Sequence, residues 1–183
     1  MSKRVLVPLA QGCEEMEAVT VIDLLRRAGI EVTTAGLDKL PVKASRGTVL
    51  IPDTTLDEVL DTPFDMIVLP GGLPGADNLA NDERIIALLK RMAAAGKFVC
   101  AICAAPTVLA KAGVLAGKRA TAYPGTLDKM YLPDVTYTGA AVERDGTVIT
   151  SRGPGTALPF GLALIEALAG KEIRDRVDKA LVR

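Results

Sequence analysis

The chain contains no histidine and only three cysteines, Cys13, Cys100 and Cys103. Without histidine, a single chain cannot form a Cys-His dyad, a Ser-His-Asp triad or a histidine-ligated metal site. An odd number of cysteines does not suit the disulfide framework of a secreted protein. Any catalysis must therefore use thiols, carboxylates and backbone groups.

The sequence also lacks a long apolar tract and an excess of either charge. Apolar residues make up 49% of its 183 residues, but no tract is long enough to span a membrane. The 22 basic residues balance the 22 acidic ones, so electrostatics does not predict a nucleic-acid partner. The first residues lack the layout of a signal peptide. We expect a cytoplasmic protein with one domain over residues 1–183.

Apolar runs alternate with helical patterns along most of the chain. Strands are predicted at residues 4–10, 30–35, 65–70 and 98–102, and helices at 16–28, after 81 or 82, from 106, at 157–169 and at 171–181. Residues 41–44 and 48–51 predict a hairpin, 56–60 a short helix, and 119–123, 135–138 and 147–150 further strands, with a hairpin turn at 144–146. This alternation predicts a doubly wound α/β sandwich, whose site lies at the carboxyl ends of its strands.

Residues 98–106 join an apolar strand to a helix that has Pro106 in its first turn. Cys103 lies at the join, where a strand-to-helix turn presents a side chain at the carboxyl edge of the sheet, as in a nucleophile elbow. Helix amides at such a turn favour thiolate over thiol, and a positive φ is expected there. The alternative is that Cys103 is a small buried residue, as most free cysteines are.

Other features near these strand ends allow two interpretations each. Gly71 and Gly72 follow a buried strand, and their amides either face a ligand or form a plain turn. Cys100 and Cys103 are separated by only two residues, but an extended segment holds them roughly 10 Å apart, beyond the ~7 Å limit for a disulfide. Cys100 is therefore predicted to pack in the core. Cys13 is either a thiol at the edge of the site or another packed residue.

Four motifs occur in order: GCEEMEAV at residues 12–19, LPGG at 69–72, AICAAP at 101–106 and TSRGPGT at 150–156. Together they resemble the ThiJ/PfpI superfamily, and within it the subfamily of the Parkinson-associated protein deglycase DJ-one and its bacterial relatives. The resemblance runs from end to end of the chain. It implies a flavodoxin-like fold, no metal or organic cofactor, and a homodimer with the Met16 end of the first helix near the interface.

The resemblance assigns a role to each residue of the predicted site. Cys103 matches the family's reactive, oxidation-sensitive cysteine. Glu17 matches the normally protonated glutamate that hydrogen-bonds the cysteine sulfur. Gly72 and Ala104 match the positions whose backbone amides form an oxyanion pocket, and Gly71 adjoins them.

Basic residues and departures from the family pattern complete this prediction. Arg46 and Arg27 match residues that line or border the site, although both also fit solvated surface arginines. Tyr123 stands where a histidine is often found near the site. The peptidase-like branch has histidine where Ala104 follows the cysteine, so we do not expect a protease. Ile51 replaces a second redox cysteine at the dimer interface.

The resemblance implies two related activities on small reactive carbonyls. One is a glyoxalase III-type conversion of methylglyoxal to lactate, and the other is deglycation of methylglyoxal-modified Cys, Lys and Arg side chains. In both, the Cys103 thiolate adds to the carbonyl, the amides of Gly72 and Ala104 hold the oxyanion, and Glu17 transfers a proton. The alternative is a redox-responsive stress protein or holdase chaperone, with Cys103 as its sensor. The sequence does not separate the two, because both use the same thiol.

Overall fold

The computed structural model describes residues 2–182. Its strands, in chain order, are β1 (Arg4–Leu9), β2 (Glu31–Gly36), β3 (Val42–Lys43), β4 (Val49–Leu50), β5 (Thr54–Thr55), β6 (Met66–Leu69), β7 (Phe98–Ile102), β8 (Arg119–Ala120), β9 (Thr136–Tyr137), β10 (Val142–Asp145) and β11 (Val148–Ser151). The α-helices are α1 (Glu15–Arg27), α2 (Gly75–Asn81), α3 (Glu83–Ala94), α4 (Pro106–Lys111), α5 (Ala157–Ala169) and α6 (Lys171–Ala180). Short 3-10 turns cover Leu56–Val59, Leu127–Lys129 and Pro154–Thr156.

A seven-stranded sheet forms the centre of the molecule, in the order β10-β11-β7-β6-β1-β2-β5. Neighbouring strands run parallel, except that β10 is antiparallel to β11. The small pairs β3–β4 and β8–β9 lie outside this sheet. The architecture confirms the predicted doubly wound, flavodoxin-like α/β sandwich.

Helices cover both faces of the sheet, which explains why the central strands are apolar runs rather than alternating ones. Val5, Val7, Val68 and Ile102 join one apolar cluster together with residues of α1, α5 and α6. Their strand neighbours point to the opposite face, where a second cluster contains residues of α3 and α4. No helix among the described residues has the length and apolarity needed to cross a membrane.

Three elements differ from the sequence predictions, and the first is the two-residue strand β5, which was not predicted. Helix α2 was not predicted, because its segment Gly75–Asn81 is rich in residues that favour turns. Strand β10 extends to Asp145, so Arg144 and Asp145 pair with β11 and the hairpin turn begins only at Gly146, where φ is 63°. The hairpin of β3 and β4 is confirmed, and so is the cap of α3: the Asp82 side chain accepts a hydrogen bond from the Arg84 amide at 2.9 Å.

The sheet order decides where functional groups can meet. Strands β7, β6 and β1 are adjacent, and the segments that follow them leave the same, carboxyl edge of the sheet. These segments carry Cys103, the pair Gly71 and Gly72, and the entry to α1 with its glutamates. In a doubly wound sheet this edge is the usual position of a ligand site.

Candidate active site

Cys103 occupies the turn between β7 and α4 with φ of 65°, a conformation that residues other than glycine rarely adopt. Two hydrogen bonds hold the strained residue: its amide donates to the Ser151 carbonyl at 2.9 Å, and its carbonyl accepts from the Tyr123 amide at 2.8 Å. Cys103 remains 9% exposed, whereas Cys100 in β7 is fully buried. The predicted elbow and its positive φ are confirmed.

Glu17 lies in the first turn of α1 and is completely buried. Its Oε2 accepts a hydrogen bond from the Gly71 amide at 2.8 Å, while Oε1 is buried without a hydrogen-bond partner among the described residues. A Cβ at Gly71 would lie 2.6 Å from the Cys103 Cβ and 2.7 Å from Glu17 Oε2. Gly71 therefore fills the narrow space between carboxyl and nucleophile, where no larger residue fits.

The backbone amides of Gly72 and Ala104 face the Cys103 sulfur and favour its charged form. Gly72 has φ of 86°, and a Cβ there would lie 2.4 Å from the Glu14 amide nitrogen. Glycine is thus required both by the conformation and by the close approach of the chain. The two amides form a pair of donors of the oxyanion-hole type beside the nucleophile.

Burial and the carboxyl–thiol contact set the ionisation of the pair. Burial raises the pKa of Glu17 to about 7, against the lowering effect of hydrogen bonds with Cys103 and Gly71. Burial, followed by the charge of Glu17, raises the pKa of Cys103 to about 12, although the amides of Gly72 and Ala104 oppose this. The rise is opposite to the direction that helix amides alone predict, because burial and, after it, the negative charge of Glu17 both disfavour the thiolate. Near neutral pH the Glu17 carboxyl is divided between its protonated and charged forms, while the Cys103 thiol keeps its proton.

Glu14 and Ser45 are parts of the site that the sequence analysis missed. Glu14 is largely buried, its Oε2 accepts from the Ser45 hydroxyl at 2.6 Å, and its amide donates to the Gly71 carbonyl at 2.9 Å. Its charge also raises the pKa of Glu17. In the sequence, the cluster of three glutamates at 14, 15 and 17 was the signal that could have pointed to Glu14. Ser45 carries no such signal, because it meets Glu14 only when the hairpin of β3 and β4 folds against α1.

The predicted arginines differ in position. Arg46 lies on the turn between β3 and β4, 81% exposed at its side chain, with Nε 3.9 Å from Glu14 Oε2, so it borders the site through Glu14. Arg27 is at the opposite end of α1 from Glu17, about 15 Å along the helix axis, and pairs with Asp23 at 2.6 Å. The structure does not bring Arg27 into the cluster around Cys103 in the same chain.

Tyr123 does lie beside the nucleophile, as its place in the motif comparison implies. In addition to the bond from its amide to Cys103, its ring packs on Gly153, where a Cβ would lie 3.3 Å from the Tyr123 Cδ2. The loop that follows β11 contains Gly153 and ends in a hydroxyl pair that was not predicted: Ser151 Oγ and Thr156 Oγ1 are 2.7 Å apart and buried. This hydroxyl pair connects the loop to β11, and the Ser151 carbonyl at the end of β11 accepts the hydrogen bond from the Cys103 amide.

The remaining cysteines are free and buried. Burial raises the pKa of Cys100 well above its usual range, and Cys100 belongs to the apolar core, as predicted. Burial and then the charge of Glu15 raise the pKa of Cys13 to about 11, and it also packs in the core. Among the described residues, no group of three or more Cys, Asp or Glu side chains could hold a metal ion.

The match to a family model identifies the group of proteins to which this arrangement belongs. The model described as the DJ-1/PfpI family matches residues 3–167. The chain belongs to the DJ-1/PfpI family. This confirms the resemblance drawn from the four motifs.

Individual relatives of the DJ-1/PfpI family match over nearly their whole length. Protein dj-1beta of Drosophila melanogaster is 47% identical over 188 residues, which cover 100% of this chain and 98% of the relative. Its crystal structure gives a TM-score of 0.96 with the same coverage. A Caenorhabditis elegans relative named glutathione-independent glyoxalase DJR-1.2 is 39% identical over 180 residues, which cover 98% of this chain and 95% of the relative.

Proposed function

We propose that this protein is a cofactor-independent Cys-Glu enzyme that converts small 2-oxoaldehydes, methylglyoxal first among them, into 2-hydroxy acids. The observation that carries the proposal is the buried Glu17 carboxyl, with a pKa near 7, in contact with a cysteine at a strained elbow. A carboxyl that gains and loses a proton near neutral pH suits general acid–base catalysis. The glyoxalase name of the nematode relative supports the same chemistry.

The proposed reaction begins with removal of the thiol proton. Glu17 carboxylate accepts the proton from Cys103, and the thiolate adds to the aldehyde carbon to form a hemithioacetal. The oxygen that becomes negatively charged accepts hydrogen bonds from the amides of Gly72 and Ala104. The same amides favour negative charge on the Cys103 sulfur, which offsets part of the cost of forming a buried thiolate.

The second half of the proposed reaction moves a proton between the two substrate carbons. Glu17 first gives the thiol proton to the hemithioacetal oxygen and so becomes a carboxylate again. It then takes the proton from the former aldehyde carbon and delivers it to the former ketone carbon, while the hemithioacetal hydroxyl proton passes to the former ketone oxygen, which leaves a 2-hydroxy thioester on Cys103. Water then cleaves the thioester and restores the thiol. In sum one carbon is oxidised, its neighbour is reduced and one water is consumed, so neither a redox cofactor nor a metal is required.

The alternative role as a thiol sensor requires a different environment. A peroxide sensor depends on an accessible, low-pKa thiolate. Cys103 is only 9% exposed, and burial together with Glu17 raises its pKa. These properties favour a thiol activated by its neighbouring base when substrate is present.

The test is turnover of methylglyoxal by metal-free protein without glutathione, followed by NMR detection of lactate. We expect lactate to form at a rate proportional to enzyme concentration. Absence of lactate from the native protein, with Cys103 verified as a free thiol, would refute the proposal.

We also propose that the protein acts as a homodimer through the exposed side of α1. Met16 and Val19 on this helix are 58% and 46% exposed, and Val49 on the adjacent hairpin is 59% exposed. The hairpin is held to α1 by the Thr48 amide, which donates to Glu15 at 3.3 Å. Exposed apolar side chains grouped in this way favour a protein interface.

Light scattering tests the proposed dimer. It should give twice the chain mass for the native protein and a smaller mass for Met16→Arg. A native monomer at micromolar concentration would contradict the dimer.

A further inference from the structure

An open cavity of about 560 Å³ lies between Tyr123, whose amide donates to the Cys103 carbonyl, and the loop that contains Arg152, Gly153 and Pro154. Its volume is within the range of about 300–1,000 Å³ that is usual for small-molecule sites. Neither Cys103 nor Glu17 is among its lining residues, so a substrate as small as methylglyoxal, held at those two side chains, leaves this space free. The cavity is therefore large enough to hold a second part of a longer substrate.

Both walls of this cavity are fastened to the backbone of Cys103. The Tyr123 amide donates to the Cys103 carbonyl, and the Cys103 amide donates to Ser151, the residue before Arg152. The wall around Arg152 is also stiffened by Thr156, whose Oγ1 accepts from the Gly153 amide at 3.1 Å. A molecule bound between these walls has a fixed position relative to the sulfur.

The polar groups of the cavity indicate what it binds. Arg152 donates through Nη1 to the Gly139 carbonyl at 3.3 Å and has no carboxylate within ion-pair distance among the described residues. By contrast, Arg27 and Arg46 each face a carboxylate. The Tyr123 hydroxyl makes no hydrogen bond to any described residue. An unneutralised guanidinium next to a phenol is a suitable receptor for a carboxylate.

We propose that this cavity is a second substrate subsite, which binds the carboxylate end of 2-oxoaldehydes longer than methylglyoxal. The inference rests on the proposed function and names a substrate class for it. The dicarbonyl end meets Cys103 and Glu17, the connecting carbons lie along the Tyr123 ring, and the far carboxylate meets Arg152. The product of such a substrate is a 2-hydroxy dicarboxylic acid, formed by the same uptake of one water.

The test compares 4,5-dioxopentanoate with its uncharged methyl ester. The quantity measured is the ratio of kcat/KM for the acid to kcat/KM for the ester, in native protein and in Arg152→Gln. We expect the ratio to fall about tenfold in Arg152→Gln, the effect of one charge-assisted hydrogen bond near the surface. Arg152→Lys should keep part of the preference, and added salt should reduce the ratio in native protein.

Arg176→Gln is the matched control. Arg176 is exposed on α6, lines no part of the cavity and loses the same charge, so this variant should keep the native ratio. Tyr123→Phe should lower the ratio by a smaller factor than Arg152→Gln, because it removes one neutral donor and retains the ring.

The two proposals fail in different ways. If native protein converts methylglyoxal but Arg152→Gln keeps the native acid-to-ester ratio, the carboxylate subsite is wrong and the proposed reaction stands. If Arg176→Gln lowers the ratio as much as Arg152→Gln, the effect is one of total charge, and the subsite is again wrong. If native protein converts neither methylglyoxal nor 4,5-dioxopentanoate, the proposed reaction is wrong, and a substrate subsite falls with it.

Discussion

Cys100 and Cys103 belong to one strand-and-turn segment and both are buried, but the groups around their sulfur atoms differ. Cys100 lies inside β7, between β6 and β11, and is fully buried among apolar side chains. Cys103 lies where the strand ends, at φ of 65°, against the Glu17 carboxyl and the amides of Gly72 and Ala104. Burial raises the pKa of both thiols, but only Cys103 has a base beside it.

The comparison teaches that the end of the strand, rather than the residue type, makes a thiol available for chemistry. Inside a parallel strand the neighbouring backbone groups are paired within the sheet, so nothing is left to bind a developing charge. At the turn, the amides of Gly72 and Ala104 face the sulfur, and Gly71 leaves space for the Glu17 carboxyl beside it. The predictions below probe this difference.

The largest difference is expected in turnover. Cys103→Ser should reduce methylglyoxal conversion on the order of 10,000-fold or more, because a hydroxyl next to Glu17 is a far weaker nucleophile than a thiol. Cys100→Ala should keep turnover within a few-fold of native. Initial rates of lactate formation provide the measurement, and a comparable loss in both variants would remove the distinction between the two cysteines.

Oxidation should follow the same division. Although burial and Glu17 raise the pKa of Cys103, it is the more reactive of these two thiols, because it alone is partly exposed and has amides that oppose the rise; mild peroxide should therefore add oxygen to Cys103, as sulfinic acid, and leave Cys100 unchanged. Peptide mass spectrometry gives the site of the added mass. A loss of two hydrogens across residues 100–103 would instead indicate a disulfide and contradict the prediction.

The raised pKa of Glu17 should appear in the pH dependence of stability. The folded protein holds a proton that the unfolded chain releases near pH 4.5, so a rise from pH 4.5 to 7 destabilises the native state. Glu17→Gln has no such proton. The free energy of unfolding of Glu17→Gln minus that of native protein should therefore increase by roughly 3 kcal/mol between pH 4.5 and pH 7.

Denaturant unfolding at several pH values measures this change, and Glu15→Gln is the matched control. Some burial of Glu15 is outweighed by hydrogen bonds from its own amide and from the amides of Arg46 and Thr48, which lower its pKa to about 2. The stabilisation from Glu15 is present above pH 4.5 and is lost as the pH falls toward 2. The stability that Glu15 contributes therefore increases with pH, whereas the contribution of Glu17 decreases with pH. A flat difference between native and Glu17→Gln from pH 4.5 to 7 would contradict the raised pKa.

The smallest effect is expected for the core thiol. Cys100→Ala removes one fully buried atom and should lower the free energy of unfolding by about 1 kcal/mol. Denaturant titration near pH 6 measures it. A variant as stable as native would mean that the core around β7 closes over the missing sulfur.

The sequence predicted the elbow because its determinants are local. An apolar run that passes directly into a helix with Pro106 in the first turn leaves few conformations for Cys103. The helix amides at the elbow predicted a lowered pKa for Cys103, but the pKa is raised, because burial and then the charge of Glu17 outweigh those amides, and both effects come from the packing of segments distant in the chain. Helix α2 and the contact between Glu14 and Ser45 escaped for related reasons: α2 has weak helix formers, and the contact exists only after the hairpin folds.

The central claim is that Glu17 transfers protons to and from the substrate, beyond its effect on the thiol. The most direct test measures two rates in Glu17→Gln: methylglyoxal conversion and alkylation of Cys103 by iodoacetamide. Because Gln carries no charge and exchanges no proton, conversion should fall about 100- to 10,000-fold, while Cys103 is alkylated at least as fast as in native protein. Near-native conversion in Glu17→Gln, with Cys103 still alkylated, would contradict the account and leave Glu17 only a support for the thiol.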